Sequence, residues 1–558
     1  VAPYESHCSL ENLVTVKFAP RMSAPLFTLA ASVFLVAAYN YSFWQRFLFA
    51  TGGFSLGNLP LLAATFLLLV LTFNACLSLV NFRFVIKPVV IVLLLATSAA
   101  TYFMNQYGTQ IDKAMIQNVV ETDVREAGEL LSLKMLLTIG LLGVLPAVLV
   151  ARTRLTFAPR GRHLLTNAGI VAGSLLLAAG ILLLFFKSYA PAVREHRELR
   201  FLLTPTNYIQ ATNSFLKQKW AKPLVVAPLG RDAAKGVTWA GERHRTVTVL
   251  VVGETARAMN FSLNQYGRNT NPLLSQQPGL INFSNVSSCG TATAVSVPCV
   301  FSALGRENYS DTRAQGQEGL LDVLKHAGFD VLWRDNNSGC KGTCARVEYE
   351  DWSEPVAGDP LCNSEECYDE KLLERLPELI RAAKNDLVIV LHQKGSHGPA
   401  YWKRYPAAFA KFGPVCATNE LEKCTQEQIV AAYDNTILYT DYFLDRVIKL
   451  LQQSSVDDNV DTGMMYFSDH GESLGEKNMY LHGAPYIISP PEQRRVPFML
   501  WFSDHYAERF KIDRRCLAAR SSQPFSHDNV FHSVLGMLDV STAVYNPALD
   551  MFNACTHG

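Results

Sequence analysis

Five apolar runs in the first third of the chain, at residues 24–44, 59–80, 88–103, 135–150 and 164–186, limit what this sequence can fold into more than any other feature. A helix needs ~20 such residues to cross the hydrocarbon core of a bilayer, and inside lipid only a helix or a closed barrel satisfies its own backbone hydrogen bonds. As core helices of a water-soluble protein, the same runs would leave that third of the chain almost no polar surface to solvate. The pattern therefore predicts an α-helical membrane domain of five transmembrane helices. Its weakest member is the third run, the shortest, which carries Thr97 and Ser98.

The connections between the runs differ in charge. Lys17 and Arg21, then Arg83 and Lys87, then Arg152, Arg154, Arg160 and Arg162 fall on one face, which the positive-inside rule assigns to the cytoplasm. In the loop 105–134 the bases are diluted by Asp112, Glu121, Asp123, Glu126 and Glu129, which suits the opposite face. An odd number of spans then puts everything after about Tyr189 outside, and with no cleavable signal peptide recognisable the first run serves as the anchor. A formal net charge of +1 over 558 residues gives no basic excess for a nucleic-acid surface, so that class is set aside.

Cysteine usage agrees with an outer, oxidising compartment. Of the 12 cysteines, Cys289 with Cys299, Cys340 with Cys344, Cys362 with Cys367 and Cys416 with Cys424 lie close in sequence, at spacings unlike those of a zinc ribbon. Disulfides are the simpler reading, with Cys516 and Cys555 as the fifth bridge and Cys8 and Cys76 as free thiols.

A polar stretch with Pro205, Pro223 and Pro228 reads as a connection along the membrane surface, with a helix around 208–220. After it, apolar β-rich runs at 247–252, 331–333, 387–391, 464–467 and 498–501 alternate with helical patterns such as 428–451, which predicts a mostly parallel sheet of the α/β class. In such sheets ligands collect at the carboxyl ends of the strands. Glu254 follows the first run, the turn Asn336-Asn337-Ser338 and Lys341 the second, His397 the third, and Asp469 and His470 the fourth. One rim thus receives acidic, basic and imidazole side chains.

Glu254, Asp469 and His470 offer two carboxylates and one imidazole, a set that suits zinc or manganese and leaves a fourth position open. A lone strand-end carboxylate is more often a helix cap or a solvated group; three such residues at neighbouring strand ends are harder to dismiss. The small-residue turn at 288–294 supplies a nucleophile, because a hydroxyl at a helix start gains from the helix dipole and a metal ligand lowers its pKa. Residue chemistry alone leaves Thr291 and Thr293 both open. In the outer loop, Asn118, Thr122 and Glu126 recur every four residues and so form one polar stripe on a helix.

The segments GETARAMNFSLNQYGRNTNP, NVSSCGTATAVSVPC, LWRDNNSGCKG, LHQKGSHGPAYWKRYP, AAYDNTILYTD and SDHGESLGEKNMYLHG, together with MIQNVVETDVREA in the outer loop, resemble the signature blocks of the lipid A phosphoethanolamine transferases, which include the mobile colistin-resistance enzymes. The resemblance implies a five-helix membrane domain (1–194), a linker along the membrane surface (195–245) and an α/β periplasmic domain of alkaline phosphatase/sulfatase type (246–558), anchored in a bacterial inner membrane. It implies Thr293 as the nucleophile, held with Glu254, Asp469 and His470 on one tightly bound zinc. His397 and His482 match residues that bind a second zinc or the substrate phosphate, Ser338 and Lys341 match residues of the phosphoethanolamine pocket, and Asn118, Thr122 and Glu126 match substrate-binding positions. Cys340 and Cys344 stand in the pocket loop, where only some members carry cysteines. The implied reaction of a monomer takes phosphoethanolamine from phosphatidylethanolamine to a lipid A phosphate and confers polymyxin tolerance. Rival readings keep the donor but use a lipopolysaccharide core sugar or periplasmic glucan as acceptor, replace the acceptor by water as in a lipid phosphohydrolase, or make the outer domain a non-catalytic lipid sensor.

Overall fold

Long helices form where the apolar runs lie. Leu59–Leu79, Ile86–Tyr107, Leu133–Arg152 and Arg160–Leu184 are each long and apolar enough to cross a membrane, and the bent pair Ala24–Tyr39 and Tyr41–Ala50 makes a fifth candidate. The computed structural model describes residues 21–556 apart from 52, 122–123, 187, 190–198, 220–224 and 242–243. It divides into two compact units, residues 1–105 with 133–207, and residues 106–132 with 208–558.

In the first unit the run 24–44, expected as one span, bends by 70° at Asn40. Asn40 supplies what a broken helix lacks: its Nδ2 donates to the carbonyls of Leu35 at 2.9 Å and Thr204 at 3.1 Å, and its Oδ1 accepts from the Thr204 N–H at 2.9 Å. Such local substitution for ladder hydrogen bonds is how a sharp kink is sustained. Cys76 is a free, exposed cysteine, and Cys8 lies outside the described residues.

The second unit is built on an eight-stranded sheet of β1 (Arg245–Gly253), β2 (Ile281–Ser287), β3 (Asp330–Asp335), β4 (Glu348–Asp351), β5 (Leu387–His392), β6 (Val460–Ser468), β7 (Arg495–Phe502) and β8 (Phe525–Ser526). Its spatial order is β8-β2-β7-β6-β1-β5-β3-β4. All five strand runs read from the sequence are present. Only β7 runs against its neighbours, antiparallel to β2 and β6; the remaining pairings are parallel. Side chains alternate between the faces of β1: Val247, Val249 and Val251 join one apolar core, Leu250 and Val252 the other. The helix Gln426–Asp457 covers one face and begins at a capping box, with Gln428 N–H donating to Thr425 Oγ1 at 3.3 Å and Thr425 N–H to Gln428 Oε1 at 2.9 Å. All five expected disulfides are formed, Cys289–Cys299, Cys340–Cys344, Cys362–Cys367, Cys416–Cys424 and Cys516–Cys555.

The outer-loop helices Lys113–Glu121 and Val124–Glu129 belong to this same unit. They are fastened at both ends, by Lys113 Nζ to Asp311 at 2.7 Å and by Glu129 to Arg404 at 2.6 Å. Arg404 also pairs with Glu366 and donates its Nε–H to the His397 carbonyl at 2.8 Å. Its side chain is 1% exposed, so removing it leaves two carboxylates poorly hydrated and unpaired. Arg404→Leu is expected to cost about 3–5 kcal/mol. Thermal unfolding of the detergent-solubilised protein checks this, and an unchanged midpoint would rule the triad out as a structural clamp.

Candidate active site

The carboxyl ends of β1, β3, β5 and β6 stand level. Val252 pairs in register with His392 and with Phe467, and Asp335 with His392, so the residues that follow share one rim. Glu254 comes directly off β1. The chain after β5 must pass tightly behind it: Gly395 has φ +55°, and a Cβ there would lie 2.5 Å from the Glu254 carbonyl oxygen. Only glycine allows that approach, which lets the Ser396 N–H donate to Glu254 O at 2.9 Å.

Glu254, Asp469 and His470 are fully buried and bring one ligand atom each within 4.8 Å of the others. Each is oriented from outside. Asp469 Oδ1 accepts from the Thr255 N–H at 3.1 Å and its neighbour's N–H at 2.7 Å, while Oδ2 is buried with no hydrogen-bond partner. His470 gives Nδ1–H to the Gly471 carbonyl at 2.9 Å, which leaves the Nε2 lone pair 3.3 Å from Glu254 and 3.4 Å from Asp469. Glu254 accepts from Asn337 Nδ2 at 2.7 Å. A buried carboxylate oxygen without a donor costs several kcal/mol unless a cation meets it, so the donor set fits a divalent metal. The electrostatics agree. Burial and the Glu254 charge push the Asp469 carboxyl up to about 6. Burial disfavours the His470 imidazolium, yet Asp469 and Glu254 outweigh it and raise that group to about 10. The pocket draws positive charge.

The two threonines left open by the sequence separate here. Thr291 Oγ1 donates to the Ala484 carbonyl at 2.6 Å and is spent on holding the 484 turn. Thr293, the first residue of the helix Thr293–Val300, places Oγ1 3.0 Å from Glu254 Oε2 and 3.3 Å from His470 Nε2. A hydroxyl at a helix start therefore stands beside the Glu254, Asp469 and His470 cluster.

Around this centre the other expected residues take different places. The His482 ring lies 4.5 Å from that of His470 and 5.3 Å from that of His397, centroid to centroid. Ser338 and Lys341 occupy the turn after β3, where Lys341 Nζ donates to Ser338 Oγ at 2.9 Å, and Asn337 ties that turn to Glu254. Asn118 sits against the 483 turn: a Cβ on Gly483, which has φ +86°, would lie 3.7 Å from Asn118 Nδ2. Thr122 and the side chain of Glu126 lie outside the described residues.

Several orienting residues carry no sequence signal of their own. Asp335 accepts from Trp333 Nε1–H at 2.7 Å and pairs with His392 Nδ1 at 2.9 Å, directly behind Asn337. Glu472 pairs with His482 Nδ1 at 2.8 Å and accepts from the Tyr401 hydroxyl at 2.5 Å. His527 accepts the Cys289 N–H at 3.1 Å, and burial lowers its pKa to about 3, so it stays neutral and fixes the turn that leads to Thr293.

A mostly parallel α/β sheet thus carries a helix-start hydroxyl beside a Glu–Asp–His cluster, and residues 246–540 match the sulfatase family. Residues 68–220 match the family described as phosphoethanolamine transferase EptA/EptB. The chain is 40% identical over 538 residues to phosphoethanolamine transferase EptA of Escherichia coli K12, covering 96% of this chain and 98% of that one. It is 39% identical to phosphatidylethanolamine transferase Mcr-1 of Escherichia coli over 86% of this chain and 90% of that one. The structure of the integral membrane lipooligosaccharide phosphoethanolamine transferase A (EptA) of Neisseria meningitidis superposes with a TM-score of 0.92 at 35% identity, covering 97% and 100% of the two chains. The chain belongs to the phosphoethanolamine transferase family, as an integral membrane enzyme with a sulfatase-type domain.

Proposed function

We propose that the protein moves phosphoethanolamine from phosphatidylethanolamine to a lipid A phosphate through a covalent intermediate on Thr293. In this reading residues 1–194 lie in a bacterial inner membrane, 195–245 run along its surface and 246–558 face the periplasm. The observation that carries it is the convergence of Thr293 Oγ1 on Glu254 and His470 beside the unpaired, buried Oδ2 of Asp469. The relatives' names support the group transferred, and the meningococcal relative's lipooligosaccharide supports a lipid A acceptor.

Glu254, Asp469, His470 and Thr293 would hold one zinc, whose positive charge lowers the hydroxyl pKa and offsets charge on the phosphoryl oxygens. Thr293 Oγ attacks the donor phosphorus, releasing its proton toward Glu254 Oε2. The phosphorus–oxygen bond to diacylglycerol breaks as His482, oriented by Glu472, gives a proton to the leaving oxygen. His397 and Lys341 bind the non-bridging oxygens, and the first N–H groups of the helix Thr293–Val300 face the same charge. A lipid A phosphate hydroxyl then attacks the phosphorus of the phosphoethanolamine-threonine and returns a proton to His482, and the bond to Thr293 Oγ breaks as Oγ takes its proton back from Glu254. His397 and His482 are also the pair able to take a second zinc.

The test is mass spectrometry of lipid A from cells with and without the gene, with a phosphoethanolamine addition expected only where the gene is present. Polymyxin tolerance should rise with it, because the added ammonium offsets phosphate charge that attracts cationic peptides. A modified core sugar with unmodified lipid A would transfer the assignment to that acceptor.

The stripe of Asn118, Thr122 and Glu126 binds the donor headgroup in this reading, Glu126 taking the ammonium and the other two the phosphate. Asn118 beside Gly483, next to His482, supports it. Glu126→Gln should lower transfer from phosphatidylethanolamine in vesicles about tenfold or more while cleavage of a small soluble phosphoester persists. Equal loss of both activities, or of neither, would make the stripe structural.

A further inference from the structure

The same two central strands that carry Glu254 and Asp469 at one end hold a second ligand cluster at the other. His244 immediately precedes β1, Asp461 is the second residue of β6, and His505 lies in the helix Asp504–Arg509 that follows β7. Asp461 and Asp469 are eight residues apart on an extended strand, about 26 Å at ~3.3 Å per residue, so this cluster shares nothing with the catalytic rim.

Its geometry is built around one buried carboxylate. The Asp461 side chain is 1% exposed, and its Oδ2 accepts from Arg509 Nη1 at 2.7 Å. That guanidinium nitrogen also bonds the His244 carbonyl at 2.9 Å and Thr246 Oγ1 at 3.1 Å, so it fixes the carboxylate and the His244 backbone together. Asp461 Oδ1 is 2.5 Å from His505 Nδ1 and 3.8 Å from His244 Nδ1, and the two imidazoles lie 4.7 Å apart. One ligand atom from each residue falls within 4.8 Å of the others.

We propose that His244, Asp461 and His505 form a second site for a borderline divalent metal, zinc by its ligand chemistry. Two imidazoles with one carboxylate suit zinc and disfavour calcium or magnesium, which take oxygen ligands. Bonds of about 2.0–2.1 Å in tetrahedral geometry put neighbouring ligand atoms about 3.3 Å apart, a value that lies between the two Asp461 to imidazole distances. The His244 and His505 side chains are 32% and 46% exposed, so water reaches the remaining position. Arg509 shares the Asp461 charge, whereas the catalytic cluster has two carboxylates, so the second site binds more weakly than the first. Once filled, it ties the start of β1, the start of β6 and the helix after β7 at the point where the 195–245 segment enters the sheet.

The experiment is titration of metal-depleted full-length protein in detergent with zinc against a chromophoric chelator. Two classes of site are expected. His505→Ala should remove the weaker class and leave both the tighter class and transferase activity at wild-type levels, while Glu254→Gln should remove the tighter class alone. The thermal midpoint should rise further between the first and second equivalents of zinc, and that step should vanish in His505→Ala. A single class in the wild-type protein, or a weaker-class stoichiometry that neither His505→Ala nor His244→Ala lowers, would overturn the proposal, and weak zinc that leaves only on His397→Ala belongs to the His397 and His482 pair. Neither result bears on the catalytic zinc, which the Glu254 variant reads separately.

Discussion

Thr293→Ala is expected to reduce phosphoethanolamine transfer by at least about 10³-fold, because the hydroxyl that would carry the group is gone and the other hydroxyl at the cluster, that of the fully buried Thr255, is spent on Glu254 Oε1 at 2.5 Å. The fold should survive, since the methyl of alanine suits the first turn of the helix Thr293–Val300 and the Thr293 hydroxyl bonds Glu254 and His470 rather than any backbone group. Thr293→Ser keeps the oxygen and should keep part of the rate. Thr291→Ala provides the contrast. It removes the bond to the Ala484 carbonyl, at a cost of about 1 kcal/mol in stability, and leaves the nucleophile in place. Peptide mass spectrometry after incubation with a phosphatidylethanolamine analogue should find the adduct on Thr293 and none on Thr291. Wild-type turnover by Thr293→Ala would end the covalent mechanism.

The contrast between these two threonines also shows where sequence reading stops. Both stand in the same small-residue turn, and what separates them is a carbonyl at Ala484, which only the fold brings near. The strands were legible because a strand buried on both faces of a parallel sheet must be apolar throughout, and the rim followed because each run ends on a polar residue. The disulfides were legible because four of the five close loops of ten residues or fewer. Asp335, His392, Glu472 and His527 were not, since a side chain that orients a ligand needs no particular spacing from it and no recognisable neighbours. The reversed direction of β7 was hidden for a similar reason: a central strand reads the same whichever way it runs. The bend at Asn40 was not legible, because the partner that sustains it, Thr204, lies 164 positions away.

Asp469→Asn tests the metal centre most sharply, because it changes charge with little change of shape. The retained oxygen can still accept from the Thr255 and His470 N–H groups, so the backbone around the site has no reason to move. The unpaired Oδ2, however, becomes an NH₂ group. It points two protons at the space a cation would occupy, and His470 Nε2, which stood 3.4 Å from the lost oxygen, can accept one of them. The substitution therefore removes one anionic ligand and engages a second ligand in a hydrogen bond. Zinc affinity of the tighter site should fall by at least about 100-fold, more than the loss typical of changes to residues that merely orient a ligand. Glu254→Gln should lose a comparable amount, and it additionally pits a new amide donor against Asn337 Nδ2, which now donates to Glu254 at 2.7 Å. Elemental analysis after dialysis against a zinc-buffered solution reads the occupancy directly, and transfer activity should fall with it. High zinc should restore part of the activity in Asp469→Asn but none in Thr293→Ala, which separates loss of the ion from loss of the nucleophile. If both carboxylate variants keep the tighter site filled at wild-type affinity, Glu254 and Asp469 do not hold the metal, and the orphaned oxygen at the centre of the site needs another explanation.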